Sequence, residues 1–486
     1  MLETPFFPAF RSRLAALGRR TTRSLRQATL SQLQQHLVDL LPPPLLSATD
    51  EGCNSRDRIF SLRLTFECFV WQVLSPRTSC RQVVRHVQAL CRLHHRCVPD
   101  QQESAYIQAR QRLPRERLEQ ALRATAQVAD RRIGTAGQAQ GRPVQVVDVS
   151  STQLPDTPKN QKAYPQSSVQ KKGCGFPVME FMALFSLCSG AVLDVVFGNL
   201  HTHDLRLLRG MWEKLKKGDI VLGDRAFGEY TTLAALPQWL GVDVLARLHH
   251  ARKADFRKGK RLAKGDALFL WAKNWQQSRI LSTREWGLLP ASITVRVIRF
   301  TATIRGYRNR RITLVTSLLD PKLYPAQDLM SLYARRWRLE LCLRDIKTQM
   351  GMEQLRCKTP EMARKELLAY LVAHNLIRCL IAEAVAIYAV QWERVSFKGS
   401  VDALRQYSGA INQARNQRMR DQLWQDLLLN LARDLVPYRP NRLEPRVVKR
   451  RPKNFGWLTK PRHQYRECLH RNRYWRAKPR VLRGLN

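Results

Sequence analysis

Three carboxylates stand out in this 486-residue sequence because of the residues around them. Asp148 closes the β-branched run Val-Gln-Val-Val-Asp, and Asp224 closes Ile-Val-Leu-Gly-Asp. Both runs have the composition of buried strands. In an α/β sheet, functional groups gather where neighbouring strands end. Two carboxylates placed side by side repel each other unless a cation relieves them. Mg²⁺ suits that task, since it prefers oxygen ligands and shares its shell with phosphate. A third carboxylate would complete a site for two ions. Such a site can activate a water or a 3′-hydroxyl and stabilise the leaving oxygen of an in-line displacement.

Glu340 is the candidate for the third. The segment 325–349 reads as one long helix, on which Tyr333, Arg336, Glu340 and Lys347 follow at steps of three, four and seven. At about 100° per residue they share one narrow stripe. Leu332, Leu339, Leu343 and Ile346 fall on the adjoining face, which would pack on the sheet. The edge of the helix then presents an acid flanked by two cations and a phenol. A metal-binding carboxylate with Arg and Lys for the surrounding phosphates suits phosphodiester chemistry. The plainer reading is a solvated helix with favourable ion pairs.

The elements that must position these groups divide the chain. Residues 1–135 read as a helical region that binds DNA, with apolar residues at three-and-four spacing through Leu30, Leu33, Leu37 and Leu40. The triplet Pro42, Pro43 and Pro44 stops that first helix. Residues 140–250 read as strand, hairpin, helix, strand, helix, strand, an α/β pattern. Residues 251–324 carry many charges, alternating runs and Trp271, Trp275 and Trp286, and read as a β-rich insertion. Residues 325–390 return to the core with the Glu340 helix and the helices after it. Further helices follow at 391–437, and 438–486 forms a basic tail with 16 Lys and Arg against two acids.

The charge balance names the partner. Lys and Arg total 83 against 39 acids, a formal net charge of +44. Self-repulsion of that size favours a polyanion as partner, and phosphates reward clustered cations by counterion release. Nucleic acid is therefore the expected partner. The 11 cysteines are odd in number and irregularly spaced, which excludes a disulfide framework and points to a reduced, cytoplasmic setting. The apolar stretch 367–390 contains His374, Asn375, Arg378 and Glu383, so a buried helix is expected rather than a membrane span.

Weaker signals are set aside. Cys91, His94, His95 and Cys97 match no zinc spacing and read as a basic helix end with buried thiols. In His201-Thr202-His203-Asp204, Asp204 is expected to cap a helix. Asp156 and Asp194 rank below Asp148 as carboxylate candidates, one in a proline-flanked loop and the other mid-hairpin.

The spacing Tyr-x2-Arg-x3-Glu-x6-Lys, met by Tyr333, Arg336, Glu340 and Lys347, resembles the signature of bacterial insertion-sequence transposases of the insertion sequence four family. Asp-Arg-x-Phe at Asp224, Arg225 and Phe227 resembles the family's second-Asp motif, and V-V-D-V-S-S, G-C-G-F-P-V-M, D-I-K-T-Q-M-G-M and L-V-A-H-N-L-I-R are similar to its members. The resemblance spans about residues 143–385. It implies a ribonuclease-H-like α/β core interrupted by a β-rich insertion, with helical regions on either side. Asp148, Asp224 and Glu340 would then be the catalytic, metal-binding triad, holding two Mg²⁺ ions for which Mn²⁺ can substitute. Tyr333, Arg336, Lys347, Arg344 and Arg225 would contact DNA. Implied too are binding of inverted-repeat ends, cut-and-paste strand cleavage and transfer, a homodimeric synaptic complex, and a bacterial, nucleoid-associated setting. Some relatives stack a flipped base on a tryptophan where this chain has Ile312. A catalytically silent repeat-binding descendant and a plain nuclease are the rival readings. An intact triad argues against the first, and the helical N-terminal region against the second.

Overall fold

A computed structural model describes residues 40–47, 58–75, 78–93, 95, 97–135, 138–249, 252–302 and 310–437. The first helix expected before Pro42, except for its last residue Leu40, and the basic tail lie outside these residues.

The chain opens with helices α1 (Leu62–Leu74), α2 (Cys80–Leu93), α3 (Ser104–Arg112) and α4 (Arg115–Ile133). Next come β1 (Val144–Gln153), α5 (Pro158–Ala163), β2 (Val178–Ser186), β3 (Val192–Asn199), α6 (Asp204–Met211), β4 (Ile220–Gly223), α7 (Tyr230–Ala235) and β5 (Asp243–Arg247). The insertion supplies β6 (Lys260–Ala263), β7 (Asp266–Ala272), α8 (Thr283–Leu288), β8 (Ser292–Ala302) and β9 (Arg310–Thr316). The last part holds α9 (Ala326–Arg335), α10 (Trp337–Arg344), α11 (Pro360–Tyr388), α12 (Phe397–Gln413) and α13 (Gln417–Arg433). This is a mixed α/β protein, and the helical starts reflect ordinary capping chemistry. The Thr359 hydroxyl accepts from Met362 ahead of Pro360, which suits a first helical turn.

Among the described residues, nine strands form one sheet in the order β3-β2-β1-β4-β5-β9-β8-β7-β6. β4 runs parallel to β1 and β5 parallel to β4, while the other pairs are antiparallel. The β-rich insertion therefore extends the core sheet, because β9 pairs with β5. The buried Arg296 ties it further. Its guanidinium donates two hydrogen bonds to Asp266, at 2.9 and 2.6 Å, and one to the Tyr324 carbonyl at 2.6 Å, just before α9. A bidentate pair fixes both distance and orientation.

Alternation along β1 sorts its side chains. Val144 and Val146 join the larger core with α9, α10 and α11, whereas Val147 faces the smaller core formed with α6 and α7. Asp148, Ser150 and Thr152 continue the face of Val144 and Val146, toward the Glu340 helix. Asp148 does not end its strand as the sequence reading expected, since β1 runs five residues further. What ends near it is the pairing with β4, whose last partners are Val146 and Leu222. Beyond that point β1 keeps β2 on one side and, at Gln153, meets the strip around Gln354 on the other. Asp148 stands two residues past Val146 on β1, and Asp224 directly follows the end of β4 at Gly223.

The expected single helix over 325–349 is also corrected. Arg336 keeps helical dihedrals, φ −51° and ψ −37°, but the ladder tightens around it. Its N–H bonds to the Tyr333 carbonyl, and the Leu339 N–H to its own. From Asp345 to Gln349 the ladder instead widens to a π turn, with the Met350 N–H on the Asp345 carbonyl at 3.1 Å. Asp204 does not cap α6 either. His203 does, its Nδ1 accepting from the Leu205 N–H at 3.2 Å.

α11 is long and apolar enough to cross a membrane by length and composition, yet most of it is buried inside the protein. Its polar residues are each satisfied there. Glu383 pairs with Arg132 at 2.9 Å and accepts from the Trp424 indole. The buried Asn375 amide accepts from the Val192 N–H and donates to the Val192 carbonyl, both at 2.8 Å. It also donates to the Leu122 carbonyl at 3.0 Å. One side chain thus closes part of the β3 sheet edge and joins it to α4 and α11. Replacing it strands several buried backbone groups. Asn375→Ala is expected to lower the unfolding free energy by about 3 kcal/mol in chemical denaturation; a loss under about 1 kcal/mol would show that water replaces the amide.

Candidate active site

An exposed cleft of about 400 Å³ lies between β1 and the Glu340 helix with its π turn, and Asp224 is not among the residues that line it. Asp148 and Ser150 line it from β1, Glu340 and Arg344 from α10, and Lys347 from the π turn. Glu353 lines it as well, a carboxylate the sequence reading did not single out.

Each sequence-derived residue has a definite place. Asp148 is half-buried, and its carboxylate accepts from the Val149 N–H at 3.1 Å. Asp224 is exposed, and caps the short turn Arg225–Phe227 by accepting from the Ala226 N–H at 2.8 Å. Glu340 is half-buried and paired with Arg336, Nη2 to Oε1 at 2.5 Å. Lys347 donates to the Ser150 hydroxyl at 3.3 Å. Tyr333 is buried, its ring 5.8 Å from the Arg336 guanidinium carbon. Its hydroxyl lies near that guanidinium without a hydrogen bond of good geometry, so it is a buried donor with an open valence. Arg344 is exposed beside the cleft, and Arg225 is exposed on the turn after Asp224.

Electrostatics joins the acids into one site. Burial, opposed by Arg336 and by the Val149 N–H but helped by the charges of Glu340 and Asp224, pushes the Asp148 carboxyl up to about 6. Burial works against the Arg336 charge, yet Tyr333, Glu340 and Asp148 outweigh it and hold the guanidinium above its ordinary pKa. Asp204 is raised by burial and then by Asp224, which places it near the same acids. The rival Asp194 is accounted for elsewhere, in a 2.7 Å ion pair with Arg123. Asp156 accepts from Gln161 in its loop.

Among the described residues, no three carboxylate, imidazole or thiol groups already close round one point, and that includes the described part of the Cys91–Cys97 cluster. Glu340 is instead drawn to Arg336. Of the insertion's tryptophans, Trp275 is 95% exposed, whereas Trp271 and Trp286 lie under Arg252 and Lys273. Ile312, as expected, leaves no aromatic ring on β9.

The backing of the site was not legible in the sequence. β1 is zipped to the strip that follows the π turn. The Thr152 hydroxyl donates to the Met352 carbonyl at 2.7 Å, the Gln153 N–H to Glu353 at 3.0 Å, and the Leu355 N–H to Gln153 at 2.9 Å. Glu393 anchors Arg338 and Arg335 on the outer side of the same helical segment. These partners lie from 55 to about 200 residues away in sequence, and their residue types are common, so no local pattern marks them.

Residues 139–376 match the family described as the transposase DDE domain, a span that contains all three acids. The chain is 28% identical over 428 residues to the transposase InsG for insertion sequence element IS4 of Escherichia coli strain K12, covering 86% of this chain and 92% of that protein. These matches support a DDE transposase of the insertion sequence four family, an enzyme that cuts and transfers DNA with the help of divalent metal. A solved piggyBac transposase synaptic complex with hairpin DNA aligns over 93% of this chain and 90% of its own, at 10% identity and a TM-score of 0.39, too low to carry an argument about fold.

The raised Asp148 carboxyl has a measurable consequence. Its folded pKa, about 6, lies above the ordinary 3.8, so ionising it opposes folding. That cost is absent below about pH 4 and complete above about pH 6. In metal-free buffer Asp148→Asn is therefore expected to be more stable than the parent at about pH 8, by about 2 kcal/mol, with the gap closing as pH falls toward about 4. Thermal melts across that range test it, and a pH-independent gap would exclude the coupling.

Proposed function

We propose that the chain binds the inverted-repeat ends of its own element and moves it by cut-and-paste transposition, with Asp148, Asp224 and Glu340 as the metal-binding catalytic acids. One observation carries the reading. Asp148 stands on β1 just beyond its pairing with β4, Asp224 just beyond the end of β4, and Asp148 feels the charge of both Glu340 and Asp224. Such a concentration of negative charge is unfavourable unless a cation offsets it. An all-oxygen donor set fits Mg²⁺, or Mn²⁺ in its place. Two such ions, when bound, would supply Lewis acidity to the attacking and leaving oxygens of an in-line displacement.

The chain's own residues do the rest. Arg336 compensates Glu340 in the metal-free protein, and is then free to turn toward a DNA phosphate once a cation takes its place. Tyr333 has an unused hydroxyl behind it, suited to a phosphate oxygen or to Arg336 in its new position. Lys347 and Arg344 offer charge to the phosphates entering the cleft, and Arg225 does so from the turn after Asp224. The five strands β3-β2-β1-β4-β5, with helices packed on both faces, support a ribonuclease-H-like core. The net charge of +44 supports duplex DNA as partner, for both the element ends and the target. Holding two ends together calls for a homodimeric synaptic complex, and the E. coli relative supports a bacterial, cytoplasmic setting.

With Mg²⁺ and a duplex carrying its own element end, the full chain is expected to nick and join strands. Glu340→Ala should reduce cleavage by at least about 10³-fold while binding is kept. Cleavage by that variant at the parental rate would sink the assignment of the triad.

A further inference from the structure

Behind the Glu340 helix lies a buried cation that nothing above uses. Arg378 projects from α11, with only 5% of its side chain exposed. Its Nη2 donates to the Cys342 thiol at 3.1 Å and lies 4.0 Å from the Asp345 carboxylate. Its Nε donates to His374 at 3.3 Å, and its guanidinium carbon sits 5.2 Å from the Trp392 ring and 5.1 Å from the Phe397 ring. Cys342 follows Glu340 by two residues, and Asp345 opens the π turn that carries Lys347.

π turns are rare and recur at functional sites. A conformation that uncommon persists only where its surroundings over-determine it. Here the surroundings can be named. The Asp345 carbonyl takes the wide-turn bond from Met350, while the Asp345 side chain faces Arg378. On the other side of the turn, Lys347 reaches Ser150, and Ile346, Met350 and Met352 are buried. One guanidinium nitrogen, Nη2, meets both positions, and the rigid planar head fixes its orientation more firmly than a lysine's flexible ammonium would. Burial raises the Asp345 carboxyl, opposed by Arg378 and then by Arg344, so Arg378 is the strongest cation acting on it.

We propose that Arg378 is a positioning residue for the phosphate-binding end of the site: through Cys342 and Asp345 it holds the π turn that delivers Lys347 to the cleft. This rests on the reading of Lys347 as a phosphate contact. Arg378 itself touches neither DNA nor the acids, and acts on binding only through the turn.

The test compares salt dependence of binding by the full chain, using a duplex with its own element end and a mixed-sequence duplex as reference. Lys347→Ala should reduce the slope of log K against log salt by about 1. Arg378→Met should reduce it equally, and the double variant no further. Arg378→Lys should restore part of the loss. With Mg²⁺, Arg378→Met should slow cleavage by about 10- to 100-fold, as a small misplacement does. Asp345→Asn is the sharper variant, and it decides the matter if Arg378→Met does not fold. Removing an acid beside DNA should strengthen binding by simple charge, whereas loss of the turn should weaken it. Folded Arg378→Met with the parental slope, additive losses in the double variant, or tighter binding by Asp345→Asn would each overturn the proposal. An unchanged slope in Lys347→Ala would instead remove the phosphate reading on which it rests.

Discussion

Negative charges that repel are held together at one end of a sheet, and much of the structure serves that constraint. Asp148, Asp224 and Glu340 come from three elements far apart in sequence. Asp148 stands just past the parallel register of β1 and β4, which ends at Val146 and Leu222, and Asp224 just past the end of β4. The third is brought to them by a helix pressed on β1 through Leu339, Leu343 and Ile346. The resulting field is felt in the Asp148 carboxyl, pushed up to about 6, and in Arg336, held charged against its own burial. Arg336 on Glu340 is the protein's internal answer to that field when no cation is present.

Holding such a site demands rigid support on several sides. The larger core contains apolar residues from α1, α4, β1, the Glu340 helix and α11, so the helical N-terminal part and the α/β part share one interior. Asn375 and Arg378, on the same buried helix, face different neighbours. The first bonds to α4 and the edge strand β3; the second meets the underside of α10 and the π turn. Arg296 does comparable work for the insertion, joining β7 and β8 to the segment just before α9. Buried polar groups of this kind are costly unless fully paired, and their pairing fixes orientation as apolar contact alone does not.

The insertion shows how a segment of unusual texture can still be integral. Its charges and alternating runs set it apart in the sequence, yet β9 adds directly to β5 and the sheet continues through it. Alternation reveals that a segment is a strand, but not which partner it takes. The same limit explains Asp148. The β-branched run before it marks a strand, and the polar text after it, Ser150-Ser151-Thr152-Gln153, suggests an end. Ser150 and Thr152 instead face the Glu340 helix and the strip beyond it, where their hydroxyls find Lys347 and the Met352 carbonyl.

The sequence by itself determined the residue types of the site, the stripe Tyr333, Arg336, Glu340 and Lys347, the strands that carry Asp148 and Asp224, and a charge that calls for a polyanion. These follow from local periodicity, local composition and summed charge, which need no partner to be read. Only the tertiary structure decided that β1 and β4 part where the two aspartates stand, that the Glu340 helix tightens at Arg336 and widens at Asp345, that His203 rather than Asp204 caps α6, and that Arg378 lies behind the turn. Each of these depends on contacts between residues distant in the chain. The 100° wheel assumes a uniform ladder, and burial against a neighbouring element is what bends it.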